Sequence, residues 1–447
     1  MREDLRRHLS SIYGVALQAV DPFTAVTRFV RREGDILLVD GRPYDLTAYR
    51  SLFLVGLGKA GVPMAEAVEQ VAGERLSSGV VIVKYGHGGR LRVTRVLEAG
   101  HPEPDDAGLE AAGELLDFIR RNVGPQDLLF VVISGGGSAL SPAPASGITL
   151  ADKKRATSLL LRSGATIHEM NALRKHLSRI KGGRLLAHAR GAEVVALVLS
   201  DVPGDELSTI ASGPTIPDPT TFADCLEIVE RYGLGDDFPQ PVMDFLKKGA
   251  AGGPGAPEET PKIADPGLNS AHNVIVASNI LSLQAAAEAA RRFGYVPLIV
   301  SSSIEGNTAD IAGVHVAVAR EVLRSGQPIA PPCCIISGGE TTVRVQGAGK
   351  GGRNQEFALW CARAIGSWPE DRVLFASLGS DGTDGPTDAA GAIAAVDTER
   401  RGAGLGLSIK DYLARNDSYH FFQCLGDLII TGPTRTNVMD LRFILIA

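Results

Sequence analysis

Short apolar runs alternate with longer amphipathic stretches along most of this chain, and polar or glycine-rich turns separate them. From Ser51 the order is strand, glycine turn, helix: SLFLVG, then LGKAG, then VPMAEAVEQVAG. The same pattern predicts strands at Gly79–Val83 and Asp127–Ile133, the latter ending in Ser-Gly-Gly-Gly, and helices over Leu150–Ser163 and Met170–Arg190. Val194–Leu199 is apolar without a break, as expected of a strand buried on both faces. Strands and helices alternating at this spacing predict a parallel, doubly wound sheet.

Gly249–Pro266, GAAGGPGAPEETPKIADP, has no periodicity and is the segment richest in Gly and Pro, which marks a linker or boundary loop. Beyond it the alternation resumes: strand His272–Ser278, helix Ile280–Phe293, strand Val296–Ser301, a helix around Thr308–Leu323 and strand Cys333–Ser337. Asp427–Ile446 alternates less cleanly and predicts edge or antiparallel strands. The expected fold class is therefore α/β with two domains: a doubly wound parallel sheet over residues 1–255, then a second α/β domain with a mixed sheet over residues 256–447. A chain of 447 residues has room for two cores of that size.

Composition narrows the functions. With 44% hydrophobic and 21% charged residues the chain can bury a sizeable core. A formal net charge of -6 argues against sequence-independent nucleic-acid binding, which needs a basic face, but leaves nucleotide binding open. The five cysteines include no Cys-x-x-Cys pair, and Cys333 and Cys334 are adjacent in an apolar run, so reduced thiols in the cytoplasm are expected. The nine histidines form no His-Glu-x-x-His or His-x-His, which makes zinc an unfavoured cofactor. The N-terminal segment reads as an amphipathic helix rather than a signal peptide, and no apolar run spans a bilayer. Neither nucleic acid nor membrane is an expected partner; a homodimer is left open.

Four phrases could carry chemistry. Gly56-Leu-Gly-Lys-Ala-Gly61 follows a strand and opens a helix, where glycines let backbone approach a phosphate and free N–H groups face it. It is not a P-loop, because Ala60 stands where a magnesium-binding Ser or Thr is required, and Lys84 at the end of the next strand disfavours NAD. Lys59 points from this turn toward the strand-end crevice, where it can meet a carboxylate or phosphate. Ser134-Gly-Gly-Gly-Ser138 is a second strand-end loop able to form a nest for an oxyanion, although a tight turn needing positive φ would use the same residues.

Gly349-Lys-Gly-Gly-Arg-Asn-Gln-Glu356 places Arg353 at the mouth of a helix, suited to a bidentate clamp on a carboxylate or phosphoryl group. Asn354, Gln355 and Glu356 then occupy the first turn, where helix capping fits as well as ligand contact. Ser380-Asp-Gly-Thr-Asp-Gly-Pro-Thr-Asp388 spaces its aspartates as a hard, oxygen-ligated cation such as Mg²⁺ would use, and Asp201 ends a strand in the first half similarly. The halves also share wording: Ile133-Ser-Gly-Gly-Gly-Ser with Ile336-Ser-Gly-Gly-Glu-Thr, and Lys181-Gly-Gly-Arg184 with Lys350-Gly-Gly-Arg353. Chance matches in a glycine-rich chain and anion-binding turns serving one ligand both account for that.

Taken together, GLGKAG, SGGGSAL, NALRKHLSRIKGGRLL, SDVPGDELSTIASGPTIPDPTTF, SGGETTVRVQGAGKGGRNQEFAL, SDGTDGPTDAAGA and GDLIITGPTRTNVMDL resemble the bacterial and animal glycerate 2-kinases that end in a MOFRL domain. The resemblance covers nearly the whole chain, least at Gly235–Gly267. It implies a Rossmann-like first domain, a distinct second domain, catalysis between them, and transfer of the ATP γ-phosphoryl group to D-glycerate. It also implies that Lys59 and Arg353 are the catalytic cations. The remaining candidate nucleotide contacts are Gly56, Gly58, Gly61, Ser134, Gly135, Gly136, Gly137, Ser138, Lys181, Asp201, Gly338, Glu340, Asn354 and Glu356, with Asp381 and Asp384 as candidate Mg²⁺ ligands. The rival enzyme is an NADPH-dependent hydroxypyruvate or tartronate semialdehyde reductase. A non-catalytic sensor would need a fused signalling module, and none is visible.

Overall fold

The computed structural model describes residues 2–265, 271–369 and 371–447. The chain forms two compact units: Ala25–Ser200 with Asp205–Val276, and Ala277–Ala447 with Asp201–Gly204 and the N-terminal segment up to Thr24. These divisions differ from a single cut at residue 255. The helix Arg2–Ala19 buries Leu5, Leu9, Ile12 and Ala16 against Leu283, Ala286, Phe443 and Leu445 of the C-terminal unit. An amphipathic stripe fixes which face is buried, not which distant surface receives it.

In the first unit a small antiparallel meander, β1 (Val30–Glu33), β2 (Ile36–Val39) and β3 (Arg42–Asp45), precedes a six-stranded sheet. That sheet contains β4 (Leu52–Leu57), β5 (Leu76–Lys84), β6 (Thr94–Ala99), β7 (Leu128–Ile133), β8 (Glu193–Leu199) and β9 (His272–Ala277), in the order β6-β5-β4-β7-β8-β9. The pairings β4 with β5, β5 with β6, β4 with β7 and β7 with β8 are parallel. Every residue of β4 and β7 is buried, as continuous apolar runs in a doubly covered sheet should be. The strand order reverses direction between β4 and β7, which makes their carboxyl ends the topological switch point.

Local chemistry accounts for the flanking helices. Leu150–Ser163 starts on a reciprocal capping box between Thr149 and Asp152 and ends on Gly164 in the left-handed region. The helix expected over Met170–Arg190 is instead two, Ile167–His176 and Arg184–His188. Gly182 and Gly183, at φ 58° and 78°, turn the chain between them, and their N–H groups donate to the carbonyls of Ser212 and Gly213. The Gly- and Pro-rich stretch is partly structured: Gln240–Ala251 is helical, and Glu259 accepts from His176 Nε2 at 2.7 Å when that nitrogen carries the proton. Pro266, its last residue, lies outside the described residues.

The second unit holds β10 (Val296–Asn307), β11 (Cys333–Thr342), β12 (Val373–Gly379), β13 (Gly391–Ala395), β14 (Leu428–Ile429) and β15 (Asp440–Ile446), in the order β10-β11-β15-β12-β13-β14. Only β10 with β11 is parallel among these pairings, so the sheet is mixed. The C-terminal strand is antiparallel as expected but not at an edge. β15 lies between β11 and β12 and is buried throughout. Ile444 and Ile446 pack on one side with Phe357 and Phe375, while Leu441, Phe443 and Leu445 pack on the other, the two-residue period of a strand covered on both faces.

Candidate active site

At the switch point the two glycine phrases of the first unit fit into each other. Gly58 has φ 129°, and a Cβ there would lie 2.7 Å from the Ser134 carbonyl carbon, so only glycine lets β4's exit pass the β7 loop. Ser134 N donates to Leu57 O at 3.0 Å, Lys59 N to Gly135 O at 2.9 Å, and Ala60 N to Ser134 Oγ at 3.0 Å. The buried Ser134 hydroxyl is thus occupied in locking the turn. Gly56 and Gly61 are packing glycines: their missing side chains make room for Val81 and Val83 respectively. Gly137 likewise admits Leu57.

Gly136, in the left-handed region at φ 82°, brings two functional groups close. A Cβ on it would lie 2.8 Å from His101 Cδ2 and 3.4 Å from Lys59 Cε. The half-buried His101 was not among the sequence candidates. Burial, reinforced by the Lys59 charge, lowers its pKa to about 4, so it is a neutral imidazole at physiological pH. Its sequence context, Gly100-His-Pro, carries no motif; only the fold brings it to the glycine loop.

Beside this turn is a cavity of about 540 Å³ lined by His101, Gly136, Ser138, Lys153, Arg174 and Lys181. Lys181 Nζ donates to Ser138 O at 2.9 Å and to Ser138 Oγ at 2.5 Å. Among the described residues none of the three cations Lys153, Arg174 and Lys181 pairs with a carboxylate. Burial lowers the pKa of all three; for Lys181 the charges of Lys153 and Arg174 add to the effect, and Lys153 is brought down to about 7. Lys153 and Arg174 are on helices, and the basic stripe that holds Arg174 reads from sequence as either solvated or phosphate-facing.

The second unit builds a different cluster around Asp440. Arg353, first residue of the helix Arg353–Ile365, donates from Nε to both Asp440 oxygens at 2.9 and 2.8 Å, and its Nη1 pairs with Glu340 at 2.8 Å. Arg442 Nη2 reaches the same Asp440 at 2.9 Å, and Asn354 Nδ2 donates to it at 2.8 Å. Against the lowering effect of burial, Asp440 and Glu340 hold the Arg353 guanidinium above its ordinary pKa. Asp440 was also missing from the sequence candidates; an aspartate opening an apolar strand offers no signal until the fold places it between two arginines.

Several candidates serve the architecture. Asp384 is buried and accepts from Asn354 N at 3.1 Å and Gln355 N at 2.8 Å, supplying the cap that Gly352, with no side chain, cannot. Burial raises its pKa to about 6 despite those donors. Asp381 accepts from Thr383 N at 3.0 Å, and no group of three or more His, Cys, Asp or Glu able to hold a metal ion occurs among the described residues. Gly338 lies within β11, where its missing side chain admits Asn279. Glu356 is buried, which raises its pKa, and accepts from Asn416 at 3.0 Å rather than joining Arg353. Asp201 is partly exposed just after β8. All five cysteines are free, and no helix among the described residues is long and apolar enough to cross a membrane.

Residues 8–247 match a domain family described as a domain of unknown function (DUF4147), and residues 333–440 match the MOFRL family. A glycerate 2-kinase of Pyrococcus horikoshii is 40% identical, over 97% of this chain and 96% of that protein. A D-glycerate 2-kinase of Thermotoga maritima is 38% identical, over 87% of this chain and 89% of that protein. A relative from Agrobacterium vitis, 44% identical over 88% of this chain and 98% of its own length, carries a hydroxypyruvate reductase name. A crystal structure of glycerate kinase from Thermotoga maritima superposes with a TM-score of 0.88 at 36% identity, covering 100% of each chain.

Proposed function

This chain belongs to the glycerate kinase family whose members carry DUF4147 and MOFRL domains, and from that premise we propose that it transfers the γ-phosphoryl group of MgATP to the 2-hydroxyl of D-glycerate, giving 2-phosphoglycerate. The observation that carries this reading is the switch point, where Lys59 stands beside the Gly136 turn and a cavity lined by basic side chains. Phosphoryl transfer asks a protein mainly to position and neutralise oxygens.

Lys59 is assigned to charge on the transferring group. Arg353 holds its guanidinium rigid through Asp440 and Glu340, and among the described residues its Nη2 keeps no partner, leaving the two Nη2 N–H groups for substrate oxygens. His101, a neutral imidazole beside Lys59, adds no positive charge to the turn and can hydrogen-bond a bound group through a ring nitrogen. Magnesium fits as an ion carried on the nucleotide rather than in a cage of side chains, since Mg²⁺ is commonly held by one or two carboxylates plus substrate phosphates. Asp381, with one oxygen not engaged by Thr383, is a carboxylate suited to it; Asp384 is less so, because its oxygens cap a helix. The ion supplies charge neutralisation between phosphate oxygens when bound. Free thiols fit a reducing, cytoplasmic setting.

The reductase reading, kept alive by the names of some relatives, is less well supported. A dinucleotide turn leaves its second glycine open to the pyrophosphate, whereas Gly58 is filled by the Ser134 backbone. A coupled ADP-release assay with MgATP and D-glycerate, against L-glycerate and no acceptor, with ³¹P spectra of the product, tests the assignment. D-glycerate-dependent ADP release with a 2-phospho product is expected. NADPH consumption with hydroxypyruvate and no ADP release would overturn it.

A further inference from the structure

We infer that the cavity lined by Lys153, Arg174 and Lys181 is the polyphosphate pocket for the nucleotide, an assignment that rests on the kinase reading. Lys153 is 7% exposed and Lys181 2%, and Lys153 Nζ is buried without any hydrogen-bond partner. A buried ammonium with no counter-charge is costly, and a fold built to receive an anion explains it better than packing does. Among the residues that line the cavity, Glu103 is the sole carboxylate against the basic side chains Lys153, Lys154, Arg174 and Lys181.

Charge number distinguishes the candidate ligands. Glycerate brings one carboxylate, which one arginine satisfies; three converging cations match the multiple charges of a triphosphate. The volume, about 540 Å³, falls within the roughly 300–1,000 Å³ typical of small-molecule pockets. Apolar walls are available for a base: Pro142, Leu150 and Leu161 line the same cavity, and Leu161 is 65% exposed. Lys181 is tied through Ser138 to the loop whose Gly136 touches the Lys59 stem, so a phosphate chain held by the three cations would have its end near Lys59.

The test is calorimetric titration of the full-length protein with inorganic tripolyphosphate and with MgATP, alongside steady-state kinetics for D-glycerate. Tripolyphosphate is expected to bind and to compete with MgATP. Lys153→Met and Arg174→Gln should each weaken both ligands by roughly tenfold or more, with the KM for D-glycerate within about twofold of the parent. Because Lys153→Met replaces an unpaired amine by an apolar chain of similar length, its melting temperature should not fall, which separates a lost ligand from a lost fold. Lys153→Arg should recover part of the affinity. Unchanged tripolyphosphate and MgATP affinities in both variants, or a loss confined to D-glycerate, would overturn the pocket assignment. Tripolyphosphate binding that depends on Lys153 in a protein that turns over no glycerate would uphold the pocket and overturn the acceptor instead.

Discussion

Arg442 in the second unit is 1% exposed and Lys181 in the first is 2% exposed, yet their surroundings are opposite. Arg442 shares Asp440 with Arg353, donates to Thr341 at 3.1 Å, and stacks over the Phe357 ring. Lys181 has only the oxygens of Ser138, with Lys153 and Arg174 as like-charged neighbours. Arg442 has its counter-charge in Asp440 and fixes geometry, here the angle of Arg353, although its Nε and Nη1 are buried without hydrogen-bond partners. Cations gathered without carboxylates lack that counter-charge, which a bound anion would supply and which loss of a proton makes unnecessary. One chain thus buries cations both with a carboxylate partner and without one.

The comparison breaks most visibly if Asp440 is removed. Asp440→Ala leaves Arg442 buried without its counter-charge and frees Arg353, so urea denaturation should report a loss of about 3–5 kcal/mol. Lys59→Ala should leave the melting curve near the parent's while turnover falls on the order of a hundredfold or more, about 2.7 kcal/mol of transition-state stabilisation. Near-parental turnover would remove Lys59 from the chemistry.

A smaller effect distinguishes the unpaired lysine. Between pH 7 and 10.5 the unfolded chain holds a proton on Lys153 that the folded chain has shed, so the ligand-free protein gains stability as pH rises through that window. Lys153→Met should flatten that rise and exceed the parent's melting temperature most at pH 7 and below, by about 2–4 °C or more. Equal pH slopes in the two proteins would show that the amine is not buried unpaired. The smallest effect concerns Glu259. Against a burial effect that would raise its pKa, His176 and the N–H groups of Phe222 and Thr260 bring it to about 2. Its contribution is present above pH 4.5 and is lost as pH falls toward 2, so the melting temperatures of Glu259→Gln and the parent should converge over that range.

How far the sequence could be read depended on the range of the interactions involved. Leu150–Ser163 was legible to the residue because its cap, its periodicity and its glycine stop are all local. The break at Gly182–Gly183 was not, because those glycines turn only to bond with Ser212 and Gly213. The shared phrases show the same limit. Ser134-Gly-Gly-Gly leaves its strand and turns, whereas Ser337-Gly-Gly remains inside β11. In both units the Gly-Gly-Arg phrase does open a helix, at Arg184 and at Arg353. Identical spelling gave different backbones where neighbouring strands differed.

The residues alone determined that the chain is α/β with a parallel sheet first and a mixed sheet second, and that glycine turns and Lys59 sit at strand ends, because periodicity and turn chemistry act over a few residues. Tertiary structure decided what those turns face: that Gly58 is filled by Ser134, that Asp384 caps a helix, that His101 joins Lys59, and that β15 is central. It also decided which charges are paired, setting Asp440 between two arginines and leaving Lys153 with none. Counter-charges come from residues remote in the chain, and neither their distance nor the burial that makes pairing matter is written in local sequence.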